Sequence, residues 1–298
     1  MKLTLIIATY NRSASLIRTL ESVARQSAAP ELWECVVVNN NSKDDTESAF
    51  ATFAEAHKQL NLRMVREEEQ GLSAARNRGI REAQGSYVAI IDDDETISKR
   101  FIEAYIELFD GGDAFAACGP IEACYESKRP LWMSTFTEKM IANPLDLGKK
   151  LCNVPLDVMP GGGNMAFRRE VFDMYGFFDT QLGRNGENLT GGEECDIYSR
   201  IRQIGERIFY VPQSKVYHHI PDTKLTRDYF DRLSYAVGHS KRLRAEKSGS
   251  LYHLYDDERS KVFYTYILAA LYSLVLCPHK AVWLLRMRKG ISRGVFDK

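Results

Sequence analysis

The sequence predicts an α/β fold in which helices flank a mostly parallel sheet. Four short apolar runs lack a clean alternation of polar and apolar positions, which is typical of strands buried on both faces: residues 3–8, 35–38, 62–65 and 87–91. Amphipathic helical patterns separate these runs. The resulting strand–helix–strand order indicates a parallel, Rossmann-like sheet.

Three helical patterns connect the predicted strands. Ser13 is expected to cap the first helix, whose apolar positions share one face: Leu16, Ile17, Leu20 and Val23. Ser42 and Asp45 are typical of a capping box before the second helix, and Leu72 begins the third. Sheets of this kind bind ligands at the carboxyl ends of their strands, so the residues after each run are the candidates for a site.

Composition divides the chain into two regions of opposite charge. Hydrophobic residues make up 44% and charged residues 27%, which excludes wholesale disorder. The net charge is zero, yet residues 224–298 hold fifteen Lys/Arg and seven Asp/Glu, a balance of +8, which leaves −8 for residues 1–223. We predict an α/β domain over 1–223 and a basic helical extension over 224–298.

Cysteine usage and apolar segments bear on the compartment. None of the six cysteines lies in a CxxC motif, so we expect reduced core residues rather than a disulfide framework. The apolar run at the start is too short for a signal peptide. Residues 262–277 are uncharged but fall short of the roughly 20 residues that span a bilayer. We expect a cytoplasmic protein, with peripheral contact at the inner face of the membrane as an open alternative.

Four consecutive acids follow the fourth predicted strand: Asp92, Asp93, Asp94 and Glu95. Crowded carboxylates repel one another unless a cation neutralises them. Mn²⁺ and Mg²⁺ prefer such oxygen ligands and often share them with substrate phosphates. Asp92 and Asp94 alternate along the chain and are expected to point to different sides. A solvated acidic turn is the alternative.

A series of ordered motifs carries a family resemblance. The motifs resemble, in the same order, blocks of family two glycosyltransferases of the GT-A fold, including the DxD motif at 92–94: residues 5–12, 36–46, 71–80, 90–94, 161–168 and 191–196. The resemblance covers about residues 3–220. It implies a GT-A domain and an inverting transfer of a sugar from a nucleotide-diphosphate donor.

The resemblance implies a role for individual residues in donor binding. A nucleotide-sugar site is implied for Thr9, Tyr10, Arg12, Asn39, Asn41, Arg76, Asp92 and Asp93. Asn39 would contact the base, although the family usually has Asp there. Mn²⁺ or Mg²⁺ would be held by Asp94, Asp92 and His218. For His218, a bland packed histidine is the alternative, and simple turn chemistry is the alternative for Asn41.

The resemblance also places a catalytic base and an acceptor site. Glu194 aligns with the family's usual Asp and is the first choice for the base, with Glu193 as the alternative; favourable charge at a helix start would explain either residue equally. The acceptor or sugar is expected at Gly162, Gly163, Asn164 and Trp132. A tight turn and core packing are the competing interpretations of these four residues.

The predicted function is an inverting, metal-dependent glycosyltransferase. We expect a UDP-sugar donor and a saccharide or lipid-linked acceptor, in cell-surface polysaccharide or glycoconjugate assembly. A nucleotidyltransferase and a catalytically silent sugar- or nucleotide-binding protein are the alternatives. No nucleic-acid partner is expected. The basic region 224–298 is interpreted either as a membrane contact or as the surface of a homodimer.

Overall fold

The first four strands form a parallel sheet and confirm the four predicted runs. The computed structural model describes residues 1–112, 114–186 and 188–297. The strands are β1 (Leu3–Thr9), β2 (Trp33–Asn39), β3 (Leu62–Arg66) and β4 (Tyr87–Asp92), in the spatial order β3-β2-β1-β4. Every residue of β1 and β2 is buried, which explains why these runs show no alternation.

Three helices connect these strands, but both predicted caps are wrong. The helices are α1 (Ser13–Val23), α2 (Thr46–Ala56) and α3 (Leu72–Glu82). Ser13 is the first residue of α1 and caps nothing with its side chain. The capping box predicted for Ser42 is also absent. Instead, the Asp44 carboxylate accepts hydrogen bonds from the backbone N–H groups of Ser13 (3.1 Å) and Thr46 (3.2 Å), so one aspartate serves both helix starts.

The sheet continues with short strands that run in both directions. The remaining elements before residue 221 are β5 (Glu95–Ile97), α4 (Phe101–Asp110), β6 (Ala116–Cys118), β7 (Ile121–Tyr125), α5 (Thr135–Ala142), β8 (Cys152–Asn153), β9 (Met165–Arg168), α6 (Glu170–Tyr175), α7 (Glu193–Gln203), β10 (Ile208–Tyr210) and β11 (Val216–Ile220). The large sheet has the order β3-β2-β1-β4-β9-β6-β10-β8, with β9 antiparallel to β4 and β6. A smaller sheet has the order β5-β11-β7.

Side chains of the central strands fill a core on each side of the large sheet. Leu5 and Ile7 pack with Leu16 of α1 on one side. Ile6, which lies between them, packs with Ala75 and Ile80 on the other. The alternation of strand side chains thus supplies both cores from one apolar run.

The C-terminal part is helical, as predicted. It consists of α8 (Arg227–Lys247), α9 (Leu251–Leu274) and α10 (Pro278–Phe296). These helices belong to a second compact unit together with Tyr125–Pro144 and Leu182–Gly192, whereas Met1–Cys124, Leu145–Gln181 and Glu193–His219 form the first. The division of the chain at residue 223 stays a prediction.

The second unit brings its helices close together through glycines. A Cβ atom at Gly238 of α8 would lie 2.0 Å from the Ile291 carbonyl oxygen of α10, and one at Gly294 would lie 2.1 Å from that of Tyr235. Larger residues would therefore push α8 and α10 apart. Within the described ranges, no helix is both long and apolar enough to cross a membrane.

Candidate active site

The carboxyl ends of three neighbouring strands form one edge of the first unit. The strand register places Thr9 of β1 beside Asn39 of β2, and Asp92 of β4 beside Ala8. Asp93 and Asp94 then form the turn into β5. Polar residues from three separate parts of the sequence therefore meet at the edge where sheets of this class bind ligands.

Asp93 is a buried anchor of this edge. Its carboxylate accepts hydrogen bonds from the Thr9 hydroxyl (2.7 Å) and from the Arg12 guanidinium (3.1 Å). Burial raises the pKa of Asp93 to about 6, although Arg12 opposes that shift. Since its side chain is only 7% exposed, Asp93 orders the loop that carries Thr9 and Arg12.

Asp94 lies between a cation and an imidazole. Arg12 donates to Oδ2 of Asp94 at 3.0 Å, and Oδ1 lies 3.7 Å from Nε2 of His218. The antiparallel pairing of β11 with β5 sets His218 opposite Glu95 and thereby brings it to the acidic turn. The predicted pair of metal-binding residues is thus close in space although 124 positions separate the two in sequence.

Arg76 is a buried link between the acidic turn and the start of α7. Its side chain is 1% exposed and donates to Asp92 Oδ1 (2.7 Å), Glu193 Oε1 (2.6 Å) and the Gly162 carbonyl (3.1 Å). Burial opposes the charge of Arg76, but Asp92 and Glu193 outweigh it and raise the pKa. Arg76 therefore orients both predicted catalytic segments.

Glu95 is the site residue that no predicted role covered. It is 1% exposed and accepts a hydrogen bond from the Asp92 backbone N–H at 2.8 Å. Burial, together with Asp92 and Asp94, raises the pKa of Glu95 well above its ordinary value. A Cβ atom at Gly163 would lie 2.0 Å from its Oε1, so only glycine fits over this carboxyl.

Glu193 and Glu194 begin α7 in different surroundings. Glu193 is 3% exposed, and its Oε2 has no hydrogen-bond partner in the described part of the chain. Burial and the neighbouring Glu194 raise the pKa of Glu193 to about 7, against the effect of Arg76. Glu194 is half-buried and therefore more accessible. The two adjacent acids thus differ in what they can contact.

Asn39 and Asn41 serve the loop between β2 and α2. Asn39 is 1% exposed, accepts from the Ser42 N–H and donates to Glu47, both at 2.9 Å. Asn41, in left-handed backbone conformation (φ +63°), donates to the Glu68 carbonyl. Tyr10 lies in the connection between β1 and α1 and is 36% exposed. The turn chemistry of both asparagines is therefore present, and nucleotide contact stays a prediction.

Two of the residues predicted for the sugar or acceptor make their contacts within the protein. Asn164 is fully buried; it accepts from the Tyr105 hydroxyl at 2.6 Å and donates to the carbonyls of Pro120 and Ser214. The structure therefore does not present this side chain to a ligand. Trp132 belongs to the second unit, where its ring stacks on Trp283 with centroids 3.8 Å apart. Packing explains its position, and a sugar contact stays a prediction.

The structure thus brings together the donor, metal and base candidates of the first unit. Arg12 joins Asp93 and Asp94, and Arg76 joins Asp92 to Glu193. The edge carries six carboxyl groups against the two guanidinium groups of Arg12 and Arg76: Asp92, Asp93, Asp94, Glu95, Glu193 and Glu194. The excess of carboxyl groups over guanidinium groups at this edge favours a cation.

Glu193 should make the folded protein less stable as the pH rises. Its pKa of about 7 lies above the ordinary value of 4.5, so its stabilising contribution is complete below the ordinary value and is lost as the pH rises through about 7. Glu193→Gln cannot ionise. Between about pH 5 and about pH 8, the unfolding free energy of this variant should fall by about 2 kcal/mol less than that of the wild type. Urea denaturation measures both. Equal losses of unfolding free energy in the variant and the wild type would contradict this prediction. The control is Glu170→Gln, at an exposed residue in the first turn of α6, which should behave like the wild type.

Comparison with known proteins identifies the family. The family described as Glycosyl transferase family 2 matches residues 4–176. A glucosyl-dolichyl phosphate glucuronosyltransferase of Haloferax volcanii is 28% identical over 250 residues, covering 82% of this chain and 77% of its own. A chondroitin synthase of Escherichia coli is 27% identical over 252 residues, covering 74% of this chain but only 35% of its own. The chain therefore spans about a third of that synthase.

Solved structures show the same fold. A mannosyltransferase from Pyrobaculum calidifontis, solved with GDP-Man and Mn²⁺, has a TM-score of 0.64 and 20% identity over 100% of this chain and 88% of its own. Residues 1–349 of S. aureus TarS, solved with UDP, have a TM-score of 0.55 and 16% identity over 98% and 91%. The predicted GT-A fold with C-terminal helices is confirmed. Because the family match spans more than half of the chain, the chain belongs to glycosyl transferase family 2 and is a glycosyltransferase.

Proposed function

We propose that the chain is an inverting, metal-dependent glycosyltransferase that prefers a UDP-sugar donor. The observation that carries the proposal is the edge of the first unit, where the Asp94–His218 pair and the Glu193–Glu194 pair flank Asp92 and Arg76. The Asp94–His218 pair suits a metal at the leaving diphosphate, and the Glu193–Glu194 pair suits proton removal from the attacking hydroxyl. Inversion needs these two functions on opposite faces of the sugar.

Asp94 and His218 fit a divalent metal that is shared with the donor. Oδ1 of Asp94 and Nε2 of His218 are 3.7 Å apart, and a carboxylate beside an imidazole suits Mn²⁺ or Mg²⁺, so these two residues would hold the ion. Among the described residues, no group of three or more His, Cys, Asp or Glu side chains could hold a metal ion. The remaining ligands would then be diphosphate oxygens and water, as Mg²⁺ sites commonly use. Asp92, whose side chain is 35% exposed, stays the further candidate.

The bound metal, Mn²⁺ or Mg²⁺, would supply positive charge for the diphosphate as its bond to the sugar breaks. Arg12 contributes a guanidinium beside the same carboxylate, with its side chain 42% exposed. Thr9 and Arg12 both donate to Asp93, which positions Arg12, and contact of Thr9 and Asp93 with the donor stays a prediction. We assign Arg12 and Tyr10 to the donor, because both have the exposure that contact requires.

We assign the base to Glu194 and a positioning role to Glu193. A base must reach the acceptor hydroxyl within about 3 Å, and Glu193 is buried with its carboxylate on Arg76. Glu194 follows it in the first turn of α7 and is more accessible. Glu193 and Arg76 then fix the start of the helix that carries the base.

Two amide substitutions distinguish these roles. Glu194→Gln should keep donor affinity and lose about a thousandfold in transfer rate, because proton removal is needed only in the transition state. Glu193→Gln should lose less, since Gln can still accept from Arg76. Transfer rates and donor affinity, measured for both variants, give the answer. Near-normal transfer in Glu194→Gln with loss in Glu193→Gln would move the base to Glu193.

The acceptor is proposed to be a saccharide or a lipid-linked sugar in polysaccharide or glycoconjugate assembly. The names of relatives support this class, since they act on glucosyl-dolichyl phosphate or make chondroitin and succinoglycan. Gly162 and Gly163 are retained as the backbone segment near the sugar. A screen of thermal stabilisation by UDP, GDP, CMP and TDP with Mn²⁺ tests the donor; a larger shift with GDP than with UDP would contradict the preference.

A further inference from the structure

The turn between α9 and α10 exposes three consecutive aliphatic residues. Leu274 is 77% exposed, Val275 65% and Leu276 86%. An apolar stripe on the preceding helix leads to them, with Phe263, Ile267 and Leu271 also exposed at helical spacing. We call residues 263–276 the apolar tip. In the second unit, the side chains of Phe263, Ile267, Leu271 and Leu274–Leu276 are each at least 43% exposed, whereas Thr265 and Ala269 on the same helix are buried.

The backbone at Leu276 is unfavourable for the residue that occupies it. Leu276 has φ +58° just after α9. Its N–H donates to the Ser273 carbonyl, and the Cys277 N–H donates to the Tyr272 carbonyl at 2.8 Å. This is the Schellman pattern, in which the left-handed position is usually glycine. A leucine in this conformation lowers stability. Because its side chain is 86% exposed, burial does not offset that cost. Folding alone therefore does not explain Leu276.

Charge around the apolar tip has one sign. Residues 259–296 contain seven Lys/Arg and no Asp or Glu. Three of the seven pair with acids from outside that segment: Lys261, Arg286 and Arg288. No ion pair forms at Lys280 or Lys289 within the described residues, and Lys280 lies four positions after the end of the tip. The partner of this surface should be apolar and bounded by negative charge.

These features together favour a membrane surface over a second copy of the chain as the partner of the apolar tip. Tyr264 and Tyr266 of the same helix are also exposed, and tyrosine is typical of the boundary between lipid headgroups and acyl chains. The uncharged run is too short to span a bilayer. A two-fold interface between copies would set the basic segment against itself. We propose that the apolar tip inserts shallowly into an anionic bilayer surface, with Lys280 at the headgroups.

Flotation of the full chain with vesicles tests the proposal. Binding should be strong to phosphatidylcholine vesicles that contain about a third phosphatidylglycerol, weak to phosphatidylcholine alone, and should fall as salt rises. Leu276→Gly should bind about tenfold less, because it loses most of one inserted side chain. The same variant should melt at the wild-type temperature or above, since glycine suits φ +58°. Weaker binding without lower stability cannot come from misfolding.

Two controls make the outcome decisive. Leu156→Gly, at a leucine 85% exposed in the first unit, should bind vesicles like the wild type, whereas Lys280→Glu should bind less. Failure of the wild type to float with anionic vesicles at low salt would overturn the proposal, as would normal binding by Leu276→Gly. A dimer that dissociates in Leu276→Gly, with no vesicle binding, would assign the tip to a second copy. Donor hydrolysis in solution, measured in parallel, reports the proposed function separately.

Discussion

Asp94→Asn should abolish metal-dependent transfer while leaving the fold intact. The amide keeps the shape of the carboxylate and can still accept from Arg12, but it loses the negative charge that faces His218 at 3.7 Å. Charge stabilisation by a bound metal is worth several kcal/mol, so the transfer rate should fall about a thousandfold. Thermal stabilisation by UDP should also lose its dependence on Mn²⁺.

The matched control is Asp196→Asn. Asp196 lies in the first turn of α7 and pairs with Arg200 of the same helix at 2.8 Å, away from the acidic turn. This variant should keep transfer and metal-dependent binding within a few-fold of the wild type. If Asp94→Asn still shows Mn²⁺-dependent stabilisation by UDP, Asp94 is not a metal ligand. His218→Gln then tests whether the imidazole acts without it.

Arg76→Ala should be the most destabilising single change at the site. It removes the only guanidinium that contacts both Asp92 and Glu193 among the described residues, and Glu193 is 4% exposed at its side chain. Removing one partner of a buried ion pair costs about 3–5 kcal/mol. Protonation of Glu193, whose pKa is already raised, should bring the loss toward the lower end. Urea denaturation near neutral pH measures it.

Arg78→Ala is the control on the same helix. Arg78 is 41% exposed and pairs with Glu82, four residues away, so its removal should cost about 0.5 kcal/mol or less. Arg76→Met combined with Glu193→Gln should recover part of the stability lost by Arg76→Met alone, because no buried carboxylate is left unpaired on α7. Equal losses for Arg76→Ala and Arg78→Ala would refute the linking role of Arg76.

Local patterns were sufficient for β1 to β4 and for the helices between them, but not for how those helices begin. Leu5, Ile6 and Ile7 had to form a fully buried strand, because no polar residue interrupts them. Helix starts depended on a neighbour instead. Asp44 reaches Ser13 from another loop, and no local spacing around Ser13 indicates that contact. In the sequence, Glu95 appears only as the fourth acid of the turn. Its burial depends on Gly163, which packs against its carboxyl from a distant part of the chain.

The amino-acid sequence by itself determined the first four strands of the large sheet, the acidic turn at 92–95 and the family, because these depend on apolar runs and on motifs local in sequence. Only the tertiary structure decided which groups meet. It joined Asp94 to His218 and Asp92 to Glu193 through Arg76, and it buried Asn164. The physical reason is that burial and pairing depend on what distant segments bring to the same place, and these in turn set charge, pKa and access.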